Sequence, residues 1–158
     1  MAVDKAVSLS IVKSELDECR GDADRYHWEI STLDEGTLSF KVKMISPIDK
    51  EIFIVSFKCD NYREWPPYID FVDPISGQEG IKNAYPLSSD GFFHPNVLIC
   101  HPCSRKAYGD FKGPHGDWRN LAVWETHPKT GALKNIRAIL LAIYERISQP
   151  EIYRGRMK

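Results

Sequence analysis

The spacing of apolar residues changes period twice along this chain. Leu9, Val12, Leu16 and Cys19 recur at helical spacing with Lys13, Ser14, Glu15 and Asp17 between them. Gly21 then supplies a stop, so the pattern predicts an amphipathic helix over about 4–20. Tyr26, Trp28 and Ile30 alternate with His27, Glu29 and Ser31, and Leu38, Phe40, Val42 and Met44 alternate with Ser39, Lys41 and Lys43. A two-residue period of this kind predicts half-buried strands. The nearly unbroken apolar run Ile52 to Phe57 predicts a central strand, with Ser46-Pro47-Ile48-Asp49 as the hairpin connection before it. Tyr68 to Val72 reads as a fourth strand, bracketed by Trp65-Pro66-Pro67 and Asp73-Pro74, because proline cannot donate to a ladder.

Periodicity is lost from Ser76 to about Thr130, where Gly, Pro, Asn, Asp and His are frequent. Such a long irregular segment inside a compact domain usually carries function. Order returns with Ile136, Ile139, Leu140, Ile143 and Ile147, a stripe that predicts a helix over about 133–148, ended by Pro150 and packed on the sheet. The expectation is one α+β domain over residues 1–158: an N-terminal helix, a four-stranded antiparallel meander over about 26–72, a long active-site region over about 76–130, and a packing C-terminal helix.

Composition narrows the functional classes. A formal net charge of −1 over 158 residues argues against a nucleic-acid partner held by a basic field, and the tail cations Arg154, Arg156 and Lys158 are read as solvated. No apolar run approaches the roughly 20 residues of a membrane span, and the first residues lack the apolar core of a secretory signal. A cytoplasmic, reducing compartment is expected, with no membrane partner, so Cys19, Cys59, Cys100 and Cys103 should be thiols. Cys19 lies on the first helix's apolar stripe and Cys59 ends a strand, so both are assigned to the core; Trp28 and Trp65 are assigned to packing.

The chemistry concentrates in His94-Pro95-Asn96-Val97-Leu98-Ile99-Cys100 and the following His101-Pro102-Cys103. In this region the chain resembles the ubiquitin-conjugating enzyme family, and the order of features extends the resemblance over nearly its whole length. Tyr62 with Pro66-Pro67, the strand Tyr68 to Val72, Tyr85-Pro86, His94-Pro95-Asn96, Ile99-Cys100 and the helix from about Leu133 follow the family's order. The resemblance implies the ubiquitin-conjugating (UBC) fold. It implies an enzyme that accepts a ubiquitin-like protein from an activating enzyme as a cysteine thioester and passes it to an amine of a protein substrate. No cofactor is implied, since ATP is consumed upstream, and no metal is expected.

The implied catalytic set is Cys100 as nucleophile, with Cys103 as the alternative, Asn96 and His94. A thiol accepts an acyl group from another thioester with little change in bond energy. Asn96 is the neutral amide that could stabilise the oxyanion, His94 would hold the turn through backbone hydrogen bonds, and Pro95 would stiffen it. In the family a longer, Gly-containing turn separates Asn from Cys. Here Cys100 follows Asn96 by four residues and Cys103 by seven, so the Ile-Cys context favours the first and the spacing the second. The enlarged segment Ser104 to Thr130, holding Trp118, Trp124, His115 and His127, and the short tail look more like divergent bacterial members of ubiquitin-like operons, including antiphage ones.

Two rival readings use the same residues. Cys100-x-x-Cys103 with His94, His101, His115 or His127 could hold a structural zinc, though only half of a zinc motif is present, and a thioredoxin-like dithiol lacks its βαβ setting. A non-catalytic UBC-like module that binds a ubiquitin-like protein or a peptide is the other. By the same resemblance the first helix would offer Lys5 and Lys13 to an activating enzyme, and Asp110 or Asp117 could orient an incoming lysine.

Overall fold

A computed structural model describes residues 2–109 and 121–158. Asp4 caps the first helix, α1 (Lys5–Glu18), by accepting the Ala6 N–H at 2.8 Å. The predicted stop at Gly21 does not end the helical path. The chain bends at Cys19 and continues through Gly21 as α2 (Arg20–Tyr26), ending where His27 turns left-handed at φ 60°. Tyr26 therefore belongs to a helix, and the expected first strand shrinks to β1 (Glu29–Ile30). Alternation persists across this junction because Tyr26 and Trp28 pack together and on Tyr144, with ring centroids 4.7–5.7 Å apart.

The meander is built as its periods require. β2 (Ser39–Ile45), β3 (Ile52–Lys58) and β4 (Tyr68–Val72) follow β1 in an antiparallel sheet of order β1-β2-β3-β4. The register pairs Val42 with Val55 and Phe40 with Phe57, whose rings stack at 4.9 Å. Phe40, Val42, Met44, Phe53, Val55, Phe57, Ile69 and Phe71 form the buried face. α4 (Ile136–Ser148), capped by Asn135 accepting from Ala138 N–H, lays its apolar stripe on that core. Among the described residues no helix is long and apolar enough to cross a membrane.

Order also enters where the sequence pattern is weak. The segment after β4 contains β5 (Pro86–Ser88), a hairpin of β6 (Phe93–His94) with β7 (Leu98–Ile99), and α3 (Arg105–Gly109). The tail expected to be solvated forms β8 (Tyr153–Arg156), paired with β5. Arg156 is drawn in because its guanidinium lies 4.4 Å from the Phe53 ring centroid and pairs with Glu51 at 3.0 Å.

The polar centre of the interior is Glu15, which is only 4% exposed. It lies beside the apolar stripe, three residues after Val12 and four before Cys19, and accepts from Tyr62 Oη at 2.7 Å, Arg63 Nη2 at 2.6 Å and the Ile136 N–H at 2.8 Å. One carboxylate thus joins α1, the loop after β3 and the first turn of α4. It also supplies an acceptor and a negative charge at a helix N-terminus, where both are stabilising. Glu15→Ala would leave a buried phenol and a helix-end N–H unsatisfied. In urea denaturation it is expected to lower the unfolding free energy by about 2–4 kcal/mol. A loss below about 0.5 kcal/mol, the range of an ordinary surface substitution, would contradict this role.

Candidate active site

The His94-to-Cys103 segment folds as a hairpin followed by a tight turn. Phe93 pairs with Ile99 and His94 with Leu98, and the ladder continues as Cys100 N–H donates to Phe92 O at 2.8 Å. Three residues, Pro95, Asn96 and Val97, remain for the loop. Val97 N–H donates to His94 O at 2.9 Å and Val97 itself adopts φ 57°. A turn followed by one left-handed residue is a standard three-residue hairpin solution, usually built with glycine. A β-branched residue there is strained, and its packing against the core holds it in place. His94 Nδ1 accepts the Asn96 N–H at 3.0 Å, which fixes the turn.

This geometry separates two of the expected partners. Asn96 is exposed at the hairpin tip, while Cys100 lies at its base. At about 3.3 Å per extended residue, the four residues from Asn96 to Cys100 span roughly 13 Å along the hairpin, beyond one hydrogen bond.

Beyond Cys100 the chain winds around His101. His101 N–H donates to Ile99 O, Ser104 N–H donates to His101 O, and Cys103 N–H donates to His101 Nδ1, each at 3.0 Å. His101 is also hydrogen-bonded to the Lys129 backbone, and its ring lies 6.0 Å from that of Phe92. Burial, reinforced by Arg146 nearby, lowers its pKa to about 4, so the imidazole is neutral near pH 7.

The four cysteines divide by burial. Cys19, Cys59 and Cys103 are fully buried, and burial pushes all three thiols up, Cys19 to about 12. Cys100 is the one partly exposed thiol, packed with Leu121 against Leu98 and Ala107. Burial raises its pKa too, and the Lys129 ammonium opposes the shift by favouring the thiolate. Of the two candidate nucleophiles, only Cys100 is therefore open to a reactant in this conformation.

α3 fixes the end of the segment. Arg105 N–H donates to Pro67 O at 3.0 Å, and the Arg105 guanidinium grips Asp60 through two bonds of 2.9 and 2.6 Å while stacking over Trp65 and Tyr68. Lys106 reaches Asp70 on β4 at 3.0 Å in a nearly buried pair, and Asp70 also accepts from Tyr85 Oη. A third contact comes from the segment 121–130. Trp124, 1% exposed, donates through Nε1 to Arg63 O at 2.9 Å, and its own carbonyl accepts from Thr130 Oγ1. The turn Pro128–Thr130, capped by His127 Nδ1 accepting from Lys129 N–H, is thereby held beside His101.

Sequence reading missed three of these groups. Glu15 stands three residues after Val12 and four before Cys19, a spacing that places it on the buried side of the helix; the Asp70–Lys106–Tyr85 cluster and the anchoring role of Trp124 depend on long-range contacts and have no local pattern. Asp110, Asp117, His115 and Trp118 lie outside the described residues. Among the described residues, no three His, Cys, Asp or Glu side chains converge as a metal site would require, and His101 Nδ1 is already engaged by the Cys103 N–H.

No family model matches this sequence, and no curated protein matches it.

Two measurements check this site. Under native conditions iodoacetamide should label Cys100 alone, with a rate still rising above pH 9, since burial holds the thiol above its ordinary value; labelling Cys103 as fast would contradict the partition. Because the pKa of His101 is lower in the folded chain than in the unfolded one, the unfolded state binds more protons as pH falls from about 6.5 towards 4. Stability should decline through that window, and His101→Asn should remove part of the slope. An unchanged slope in the variant would exclude His101 as a source.

Proposed function

We propose that this chain is a ubiquitin-conjugating-type enzyme of the UBC fold, carrying a ubiquitin-like protein as a thioester on Cys100. The observation that carries the reading is the partition of the cysteines: three are sealed in the core, and the one left partly open stands at the base of the His94-Pro95-Asn96 hairpin. The order of elements supports it: a helix, a four-strand antiparallel meander, this hairpin, then a helix packed on the core.

In this reading the Cys100 thiolate attacks the thioester carbonyl presented by an activating enzyme. A new C–S bond forms as the activating enzyme's thiolate leaves. An amine of the protein substrate then attacks the Cys100 thioester, its C–N bond replaces the C–S bond, the Cys100 thiolate departs, and the ammonium proton is lost to solvent. Lys129 serves the first step by favouring the thiolate at an otherwise apolar position. His94 holds the turn. Asn96, at the exposed tip, shapes the hairpin instead of donating to the oxyanion.

Incubation with a cognate activating enzyme, its ubiquitin-like protein and ATP, followed by a non-reducing gel, tests the reading. A thiol-sensitive adduct should form, survive Cys103→Ala and vanish in Cys100→Ala; absence of an adduct from the unaltered chain with a charged activating enzyme would refute the thioester. Asn96→Ala should load normally and lose less than about tenfold in transfer, where a direct oxyanion donor would cost about 10²–10³. A loss in that larger range would show that the hairpin folds back on Cys100 during transfer.

A further inference from the structure

One groove of about 470 Å³ lies beside the hairpin tip, away from Cys100, where β5, β8 and the hairpin loop meet. Among the described residues, four cations line it, Lys82, Arg154, Arg156 and Lys158, and no Asp or Glu. Its apolar lining is Leu87, Pro95 and Met157, the last only 3% exposed. In a chain with 21 basic and 22 acidic residues, this is a local segregation of one sign of charge.

The four cations differ in how they are engaged. Arg156 is spent on structure, pairing with Glu51 and donating to the carbonyls of Asn83 and Ile52. Lys82, Arg154 and Lys158 make no ion pair among the described residues, and all three are exposed. Arg154 is held in place by the carbonyls of Tyr153, Glu151 and Pro150 at 2.8, 3.0 and 3.3 Å, neutral acceptors that position the guanidinium without cancelling its charge. A positioned cation above an apolar floor is a recognition element that a mobile surface lysine is not.

We propose that this groove docks an acidic, extended segment of a partner protein, its carboxylates meeting Lys82, Arg154 and Lys158 and an apolar side chain covering Leu87 and Pro95. A nucleic acid fits less well, because the net charge is −1 and a few cations beside an apolar floor do not track a phosphate backbone. The groove reaches the tip of the candidate active-site hairpin through Pro95, so a segment bound there lies beside it. The inference goes beyond the thioester reading and stands without it, since docking needs no chemistry at Cys100.

Fluorescence anisotropy with the full chain and a fluorescein-labelled peptide Glu-Asp-Leu-Glu-Asp-Glu tests it. Saturable binding is expected, weakening several-fold as salt rises to about 0.3 M, and absent for the Gln/Asn version of the peptide. The Lys82→Glu/Arg154→Glu double variant alters exposed side chains and should keep its melting temperature while binding at least about tenfold more weakly. Three results would each overturn the proposal: no saturable binding, undiminished binding by the folded double variant, or tighter binding of a labelled single-stranded oligonucleotide of equal charge.

Discussion

The buried Glu15 carboxylate is the constraint on which the arrangement of this molecule depends. Burying a carboxylate is costly unless its lone pairs are filled, and here three donors from two separate parts of the chain fill them: Tyr62 and Arg63 in the loop after β3, and the first turn of α4. The interaction therefore specifies position as well as adding stability. It sets the register of α1 against α4 and fixes the loop leaving β3. From that loop the constraint passes outward, because the Arg63 carbonyl accepts the Trp124 indole, and the Trp124 carbonyl accepts the Thr130 hydroxyl. The turn so anchored holds Lys129 and His101 together beside Cys100. A residue on the first helix thus reaches the candidate active site through a short series of hydrogen bonds.

Around that site, burial decides which sulfur can react. Cys103 lies three residues from Cys100, yet one is sealed and the other partly open, because the turn wound around His101 directs the chain inward before α3 begins. Arg105 and Lys106 then pin α3 to Asp60 and Asp70. The thiol at Cys100 sits among Leu98, Ala107 and Leu121 and is held as the neutral form near pH 7. Such a thiol is a poor nucleophile at rest, and a charged partner brought close would change that. In the proposed reading, that partner is the protein that presents the acyl group.

How much was legible depended on whether the signal was local. The meander and α4 could be read directly, since Phe40-Val42-Met44 and Ile136-Ile139-Leu140-Ile143-Ile147 carry their periods in the sequence. Gly21 misled because a single glycine is tolerated in a helix whose end is set elsewhere, here by the left-handed His27. β8 was hidden since Tyr153-Arg154-Gly155-Arg156 has no apolar alternation, and its partner β5 lies more than sixty residues earlier. The hairpin was recognisable as a turn from Pro95 and Asn96, but its closure at the left-handed Val97, and with it the separation of Asn96 from Cys100, runs against that residue's local preference. The cysteine partition was half legible: Cys19 and Cys59 fell on apolar patterns, whereas Cys100 and Cys103 differ only through contacts made by distant parts of the chain.

The central claim is that one particular sulfur carries the acyl group, and replacing that atom tests it most directly. Cys100→Ser, charged by an activating enzyme and examined by intact mass, should hold a single ubiquitin-like protein through an oxygen ester that resists thiols and is cleaved by alkali, with peptide mapping placing it at residue 100. A thiol-sensitive adduct that persists in Cys100→Ser would put the thioester on another cysteine and contradict the account.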